Sequence, residues 1–142
     1  MSNETRTLVA PPPVVALAAW LIPGAGYWLI GQRARALAIG ITILLLFVAG
    51  VFIGGIDVVD APQFNGNLLS LFGMIQKPWF IGQALAGAPG LIASWLASLS
   101  NAPSHARLAE ISTLYTAVAG MLNLLAVIDS TFRAVHAAES AR

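Results

Sequence analysis

The chain has 142 residues, of which 58% are hydrophobic and 9% charged, and its formal net charge is +1. A soluble domain carries about 25% charged residues, so this chain has too few polar side chains to cover a water-facing surface. The near-neutral charge gives no basic field for nucleic acid, and the absence of cysteine excludes disulfides and thiol catalysis.

The length allows one domain at most, which we place at residues 14–138. Residues 1–13 form a polar and then proline-rich tail, and residues 139–142 form a second short tail. The run Pro11-Pro12-Pro13 predicts a stiff extended spacer whose last proline suits the first turn of a helix.

Four apolar segments predict an all-α integral membrane protein with about four transmembrane helices. Crossing a bilayer core takes about 20 apolar residues, within a range of about 17 to 25. The second and third segments fit this length comfortably, the fourth fits it near the short end, and the first is barely long enough. The predicted spans are 14–30, 36–56, 79–99 and 111–133.

The first segment contains the run Pro23-Gly24-Ala25-Gly26 and should be kinked there, because proline lacks an N–H group and clashes with the preceding turn. A packed kink is the interpretation that we favour. A half-helix pair that holds a ligand, or a segment that dips into the bilayer and returns, is also open. Pro89-Gly90 is a possible second kink. We expect the first segment to be retained and not cleaved as a signal peptide.

Between the second and third spans, Leu68, Leu71, Phe72 and Ile75 recur at helical spacing. This pattern predicts a short helix over residues 67–76 that lies in the membrane interface. A helix that docks a partner protein would give the same pattern.

Two stretches resemble a family of uncharacterised small bacterial membrane proteins, a domain of unknown function. The first is LAAWLIPGAGYWLIGQRARALAIGITILLLFVAG, which is also similar to the widespread two-helix membrane hairpin domain. The second is STLYTAVAGMLNLLAVIDSTFRA, which is similar to the closing helix of the uncharacterised family. Tyr27 stands where a histidine is common in the family, and residues 130–132 also depart from its pattern. The resemblance implies a fold and a membrane location but no reaction.

Membrane helices associate through small residues and interhelical hydrogen bonds, so spacing predicts their interfaces. The fourth span carries one stripe of small and polar residues, and Asn123 lies near its middle, where an unpaired amide would be costly. We expect an interhelical hydrogen bond from Asn123, with a substrate or ion contact, or an intersubunit contact, as the alternatives. The residues predicted at packing or interaction surfaces are Pro23, Gly24, Gly26, Gly31, Gly50, Gly54, Gly90, Ser94, Thr116, Gly120 and Asn123.

Charged residues lie at or beyond the ends of the apolar segments. Asp129 precedes Arg133 by four residues, the favourable order for an ion pair on a helix, and both should lie at head-group depth. Arg33 and Arg35 occupy the short turn after the first segment. The two short turns, after the first and the third span, carry three basic residues, against four on the other side of the membrane. The density of arginine in the first turn favours short turns inside and both termini outside.

The sequence shows no nucleophile with a base, no metal-ligand set and no cofactor motif. We therefore expect no enzymatic activity, and partners restricted to the lipid bilayer and to other membrane subunits or a second copy. The favoured role is an accessory subunit or interaction module of a larger assembly in the bacterial inner membrane. The rival is a small transporter or channel component that uses the Pro23 break and Asn123.

Overall fold

The computed structural model describes residues 10–55, 78–99 and 106–140. The regular structure among these residues is all helical, with no strand, in agreement with the predicted all-α class. The helices are α1 (Pro12–Leu21), α2 (Ala25–Leu29), α3 (Arg33–Gly54), α4 (Pro78–Ala84), α5 (Ala88–Leu99) and α6 (Ala106–Ser140).

The longest helix, α6, is the centre of the structure and packs against α1, α2, α3 and α4. Its inward face carries only small or polar side chains, which lets neighbouring backbones come close. The buried residues of this face include Ser112, Thr116, Ala119, Asn123, Ala126 and Ser130. The opposite face carries large apolar side chains that remain exposed, including Leu114, Met121, Leu125, Ile128 and Phe132.

Two helices are long and apolar enough to cross a membrane, Arg33–Gly54 and the Glu110–Ser140 part of α6. With a rise of 1.5 Å per residue, α3 is about 33 Å long, which matches a hydrocarbon core of about 30 Å. Large side chains point outward from α3, and Phe52 is 85% exposed. By length and composition, these two helices indicate association with a membrane.

The other two predicted spans are not continuous helices. The 14–30 segment is divided into α1 and α2, and the 79–99 segment is divided into α4 and α5. Pro12–Leu21 and Ala88–Ala97 are apolar but too short to cross a bilayer alone. In place of the predicted four spans, of which the first was expected to be kinked, the described residues form two long helices and two pairs of short ones.

The first break has a clear cause in the sequence. Pro23 has no N–H to continue α1, and Gly24 adopts the left-handed conformation with φ of 88°. Helix α2 then restarts at Ala25. The kink expected at Pro23 is thus a complete interruption over residues 22–24.

The second break lies at residues 85–87, ahead of the possible kink at Pro89-Gly90. Gly87 turns the chain with φ of 75°. Pro89 falls in the first turn of α5, where a helix does not need the missing N–H, so proline begins the new helix there and does not bend an old one.

The remaining boundaries differ by less. Helix α3 begins at Arg33 and ends at Gly54, against the predicted 36–56. Helix α6 continues to Ser140, seven residues beyond the predicted span end at 133, so the predicted C-terminal tail begins inside it. The predicted interfacial helix at 67–76 lies outside the described residues.

Candidate functional site

The two helix breaks meet at one point, which we call the break junction. At this point Gly87 lies against the backbone carbonyl oxygens of Trp20 and Leu21 at the end of α1. A Cβ atom at Gly87 would collide with the Trp20 oxygen, so the position requires glycine both for its conformation and for the close approach. The interruption of one helix thereby packs directly on the interruption of the other.

The side chain of Asn123 from α6 links both breaks. Its Nδ2 atom donates to the carbonyl oxygen of Trp20 at 3.2 Å and to that of Leu85 at 3.0 Å. Leu85 needs this donor because Pro89, four residues later, has no N–H to offer. Asn123 is fully buried, and its Oδ1 atom takes no hydrogen bond from the described residues.

A second buried amide lies on the same side of α6. Gln83 in α4 is 1% exposed and donates from Nε2 to the hydroxyl oxygen of Thr116 at 2.9 Å. The Thr116 hydroxyl lies 3.1 Å from the carbonyl oxygen of Ser112 in its own helix, to which it can donate. Two amides, on α4 and α6, therefore connect these helices through polar contacts within an apolar surrounding.

Glycines bring the backbones of the other helices together. A Cβ at Gly120 in α6 would collide with the carbonyl oxygen of Gly82 in α4. A Cβ at Gly40 in α3 would lie 2.6 Å from the carbonyl oxygen of Pro23. The first break is thus covered by α3, while α4 rests on α6 at backbone distance.

Most of the other predicted packing residues also face neighbouring helices. Gly24 lies against α3 at Ala36 and Gly40, Gly26 lies against Ser130 and Ala19, Gly50 lies against Thr116, and Gly90 lies against the carbonyl of Gln83. Pro23 and Gly54 are buried, and Ser94 is partly buried. Gly31 differs, because a Cβ there would meet no described atom within 4 Å. Its φ of 82° serves the turn between α2 and α3 instead.

A polar cluster lies at the end of α2. The buried hydroxyl of Tyr27 donates to Oδ2 of Asp129 at 2.8 Å, and Nε of Arg133 donates to the same oxygen at 2.8 Å. Arg133 and Asp129 are about two-fifths exposed. The cluster ties the end of the first broken helix to α6.

The two arginines of the short turn contact nearby side chains. The Arg35 guanidinium donates to Oε1 of Gln32 at 3.0 Å. The guanidinium of Arg33 lies 5.7 Å from the centre of the Trp28 ring, within range of a cation–π contact. Both arginines lie in the first turn of α3.

Sequence reasoning missed three features of this arrangement. Tyr27 and Asp129 are 102 positions apart, and nothing in their spacing links them. Gln83 could have been predicted to need a hydrogen-bond partner, because it is the lone amide side chain in the 79–99 segment. Gly87 and Gly40 look like any other small residue until the neighbouring backbone is known.

Within residues 10–55, 78–99 and 106–140, no group of three or more histidine, aspartate or glutamate residues could hold a metal ion. The polar atoms of the break junction are backbone carbonyls and carboxamides. Such groups are suited to hydrogen bonding.

The comparison with known families agrees with the resemblance drawn from the two sequence stretches. No curated protein and no solved structure matches the chain significantly. A family model matches residues 14–142, which includes every described helix except the first two residues of α1, and its description is a family of unknown function. The chain therefore belongs to the DUF6677 family, a family of unknown function.

Proposed function

We propose that the protein is a non-catalytic subunit or interaction module of a larger membrane assembly. The observation that carries this proposal is that protein packs against both helix breaks, with one face of residues 22–24 left open to an apolar groove between α1, α2 and α3. Gly87 packs on the end of α1, and Asn123 donates to the carbonyls of Trp20 and Leu85. Interruptions filled in this way favour a fixed shape over a passage for solute.

The exposed surface is consistent with such a role. Helix α3 presents Leu37, Ile41, Leu45 and Phe52, each more than half exposed. In a bilayer these side chains can face lipid or the helices of another subunit, and neither contact requires chemistry from this chain. Because 58% of the residues are hydrophobic and only 9% are charged, an embedded chain would leave few residues outside the bilayer to form an active site.

We also propose a bacterial inner-membrane location, with α3 and α6 crossing and the two broken pairs completing four passes. The turn that carries Arg33 and Arg35 would then face the cytoplasm and the termini the other side. Retention in the membrane fraction after alkaline carbonate washing would support the embedded arrangement. Release into the soluble fraction would contradict it.

Purification from native membranes in a mild detergent tests the accessory role. We expect a tagged protein to travel with a defined membrane partner in fixed proportion, and crosslinks to fall on the exposed face of α3. Phe52→Ala should weaken that association, while Glu139→Gln, at the exposed end of α6, serves as the control. A protein that purifies alone, without crosslinks in native membranes, would contradict the proposal.

The rival role is a small transporter or channel component. It is favoured by the presence of two interrupted helices side by side and by the buried Oδ1 of Asn123. A transport role predicts that Pro23→Ala abolishes flux in reconstituted vesicles while the fold survives. The accessory role predicts no specific flux in either the wild-type protein or the variant.

A further inference from the structure

We propose that a groove between α3 and α6 binds a phospholipid whose head group carries both a phosphate and a primary amine, as in phosphatidylethanolamine. The proposal requires that the chain be embedded in a bilayer. It does not depend on the accessory role, so either idea can fail alone.

The α3–α6 groove has a volume of about 410 Å³, within the range of small-molecule sites. Its walls are mostly apolar and come from Ile39 and Ile43 of α3 and from Leu122 and Leu125 of α6. The hydroxyl of Thr42 also lies in the wall, where it donates to the carbonyl oxygen of Ala38. Leu125 is 62% exposed, so the groove opens toward the surface that would face lipid. An acyl chain fits such a wall without any polar requirement.

Polar groups occur at one end of the α3–α6 groove. Asp129 and Tyr27 line that end, and Leu122 lies seven residues away along α6. With a rise of 1.5 Å per residue, the apolar part extends about 10 Å beyond the carboxylate. A charged end followed by an apolar channel matches the order of a head group and its acyl chain.

Arg133 is not among the residues that line the groove, but it pairs with Asp129 and so gives this end charges of both signs, as in a zwitterionic head group. Both hydrogen bonds to Asp129 reach Oδ2, and its Oδ1 takes none from the described residues. Arg133 donates through Nε, and neither of its Nη groups hydrogen-bonds within the described part of the chain. A phosphate can accept two hydrogen bonds from the Nη groups, while an ammonium donates to Oδ1.

This complementarity selects among common phospholipids. The trimethylammonium of phosphatidylcholine has no N–H to donate to Asp129. An anionic lipid such as phosphatidylglycerol would satisfy Arg133 but bring no cation of its own for Asp129, which would then share one arginine with the phosphate. A primary amine is the group that satisfies Asp129 while the phosphate satisfies Arg133.

A second groove, of about 330 Å³ and lined by α1, α2 and α3, provides a contrast. Its lining includes Ile22, Leu37, Ile41 and Leu44, and it contains no charged residue. That groove offers nothing to select a head group. The inference is therefore confined to the α3–α6 groove.

Native mass spectrometry of the purified protein tests the proposal with phosphatidylethanolamine, phosphatidylcholine and phosphatidylglycerol of identical acyl chains. We expect the ethanolamine lipid to bind more tightly than the choline lipid by about fivefold, the upper end for an exposed ion pair. Asp129→Asn should remove this preference, and Glu139→Gln should keep it. Leu125→Trp should reduce binding of all three lipids by filling the groove, whereas Ile41→Trp in the other groove should leave the preference intact.

Circular dichroism and a monodisperse elution profile establish that each variant is folded before lipid is added. Equal binding of the ethanolamine and choline lipids would overturn the proposal. So would a preference that survives Asp129→Asn, or tighter binding of phosphatidylglycerol than of phosphatidylethanolamine by the wild-type protein.

Discussion

Asn123 donates a hydrogen bond to the carbonyl of Trp20, which lies 103 positions earlier in the chain. The same Nδ2 atom donates to Leu85. One carboxamide, in the middle of the longest helix, therefore donates a hydrogen bond at each of the two breaks. Backbone carbonyls at membrane depth need such a donor, because hydrocarbon provides none.

Replacing this amide should destabilise the protein. Asn123→Leu leaves two buried carbonyls without a donor, at a cost of about 1–3 kcal/mol for each such group, less where the helices relax. Asn123→Asp should be worse at pH 8, because a carboxylate would face two carbonyl oxygens. Its deficit should shrink as the pH falls, since a protonated carboxyl can donate one bond.

Thermal unfolding in detergent, followed by circular dichroism, measures these differences. Leu122→Ala is the matched control on the neighbouring exposed position, and it should change the midpoint little. Asn123 variants with an unchanged midpoint would show that the junction does not depend on the amide.

The glycine at the second break is tested by a pair of substitutions. Gly87 and Gly31 have similar positive φ values, 75° and 82°, but only Gly87 touches another segment. Alanine costs roughly 1–2 kcal/mol at either position because of the left-handed backbone. Gly87→Ala should lower the free energy of unfolding by about a further 1–3 kcal/mol, because its Cβ would force the two breaks apart.

Denaturant titrations of the two variants separate conformational strain from packing. Backbone strain is common to both variants, so the difference between their free energies of unfolding measures the packing of the two breaks. Equal losses for Gly87→Ala and Gly31→Ala would mean that the breaks do not pack on each other.

The Tyr27–Asp129 hydrogen bond should couple the end of α2 to α6. A hydrogen bond to a charged group contributes about 1.5–3 kcal/mol when buried, and less here because Asp129 is 42% exposed. Tyr27→Phe and Asp129→Asn should each destabilise the protein, and the double variant should lose less than the sum of both. Tyr115→Phe, an exposed tyrosine on α6, should be neutral. Strict additivity in this double-mutant cycle would argue against the bond.

The contact between α4 and α6 depends on the absence of side chains. Gly120→Ala should destabilise more than Leu114→Ala, although alanine is the smaller change at position 120, because a Cβ there meets the carbonyl of Gly82. Leu114 is 51% exposed and loses only lipid or detergent contacts. Comparing melting midpoints in the same detergent decides the ranking, and similar, mild losses would mean that this interface is placed wrongly.

Composition and helical spacing predicted a large part of this architecture. Local patterns predict the positions of the four apolar segments and the small-residue face of α6. They do so because membrane helices pack through small residues, which helical spacing places on one face. The two breaks are harder to predict from the sequence. Proline and glycine can bend, end or begin a helix, and the neighbouring segments decide which. Asn123 was recognisable as a residue that needs a partner, yet its two partners are backbone carbonyls of distant segments. Every residue has a backbone carbonyl, so the sequence does not mark which of them accept a side-chain hydrogen bond. Such contacts are found only in the three-dimensional structure.

The central claim is that the break junction is packed against protein and closed to water. Ala86, between Leu85 and Gly87, is fully buried, and the chain has no native cysteine to interfere with labelling. The measurement is the reaction of an Ala86→Cys variant with a membrane-impermeant thiol reagent in intact and in opened vesicles, with Glu139→Cys as the exposed control. We expect rapid labelling at position 139 and none at position 86 unless Asn123 is also replaced by leucine. Ready labelling at position 86 with Asn123 in place would reveal a wet cavity and contradict the account.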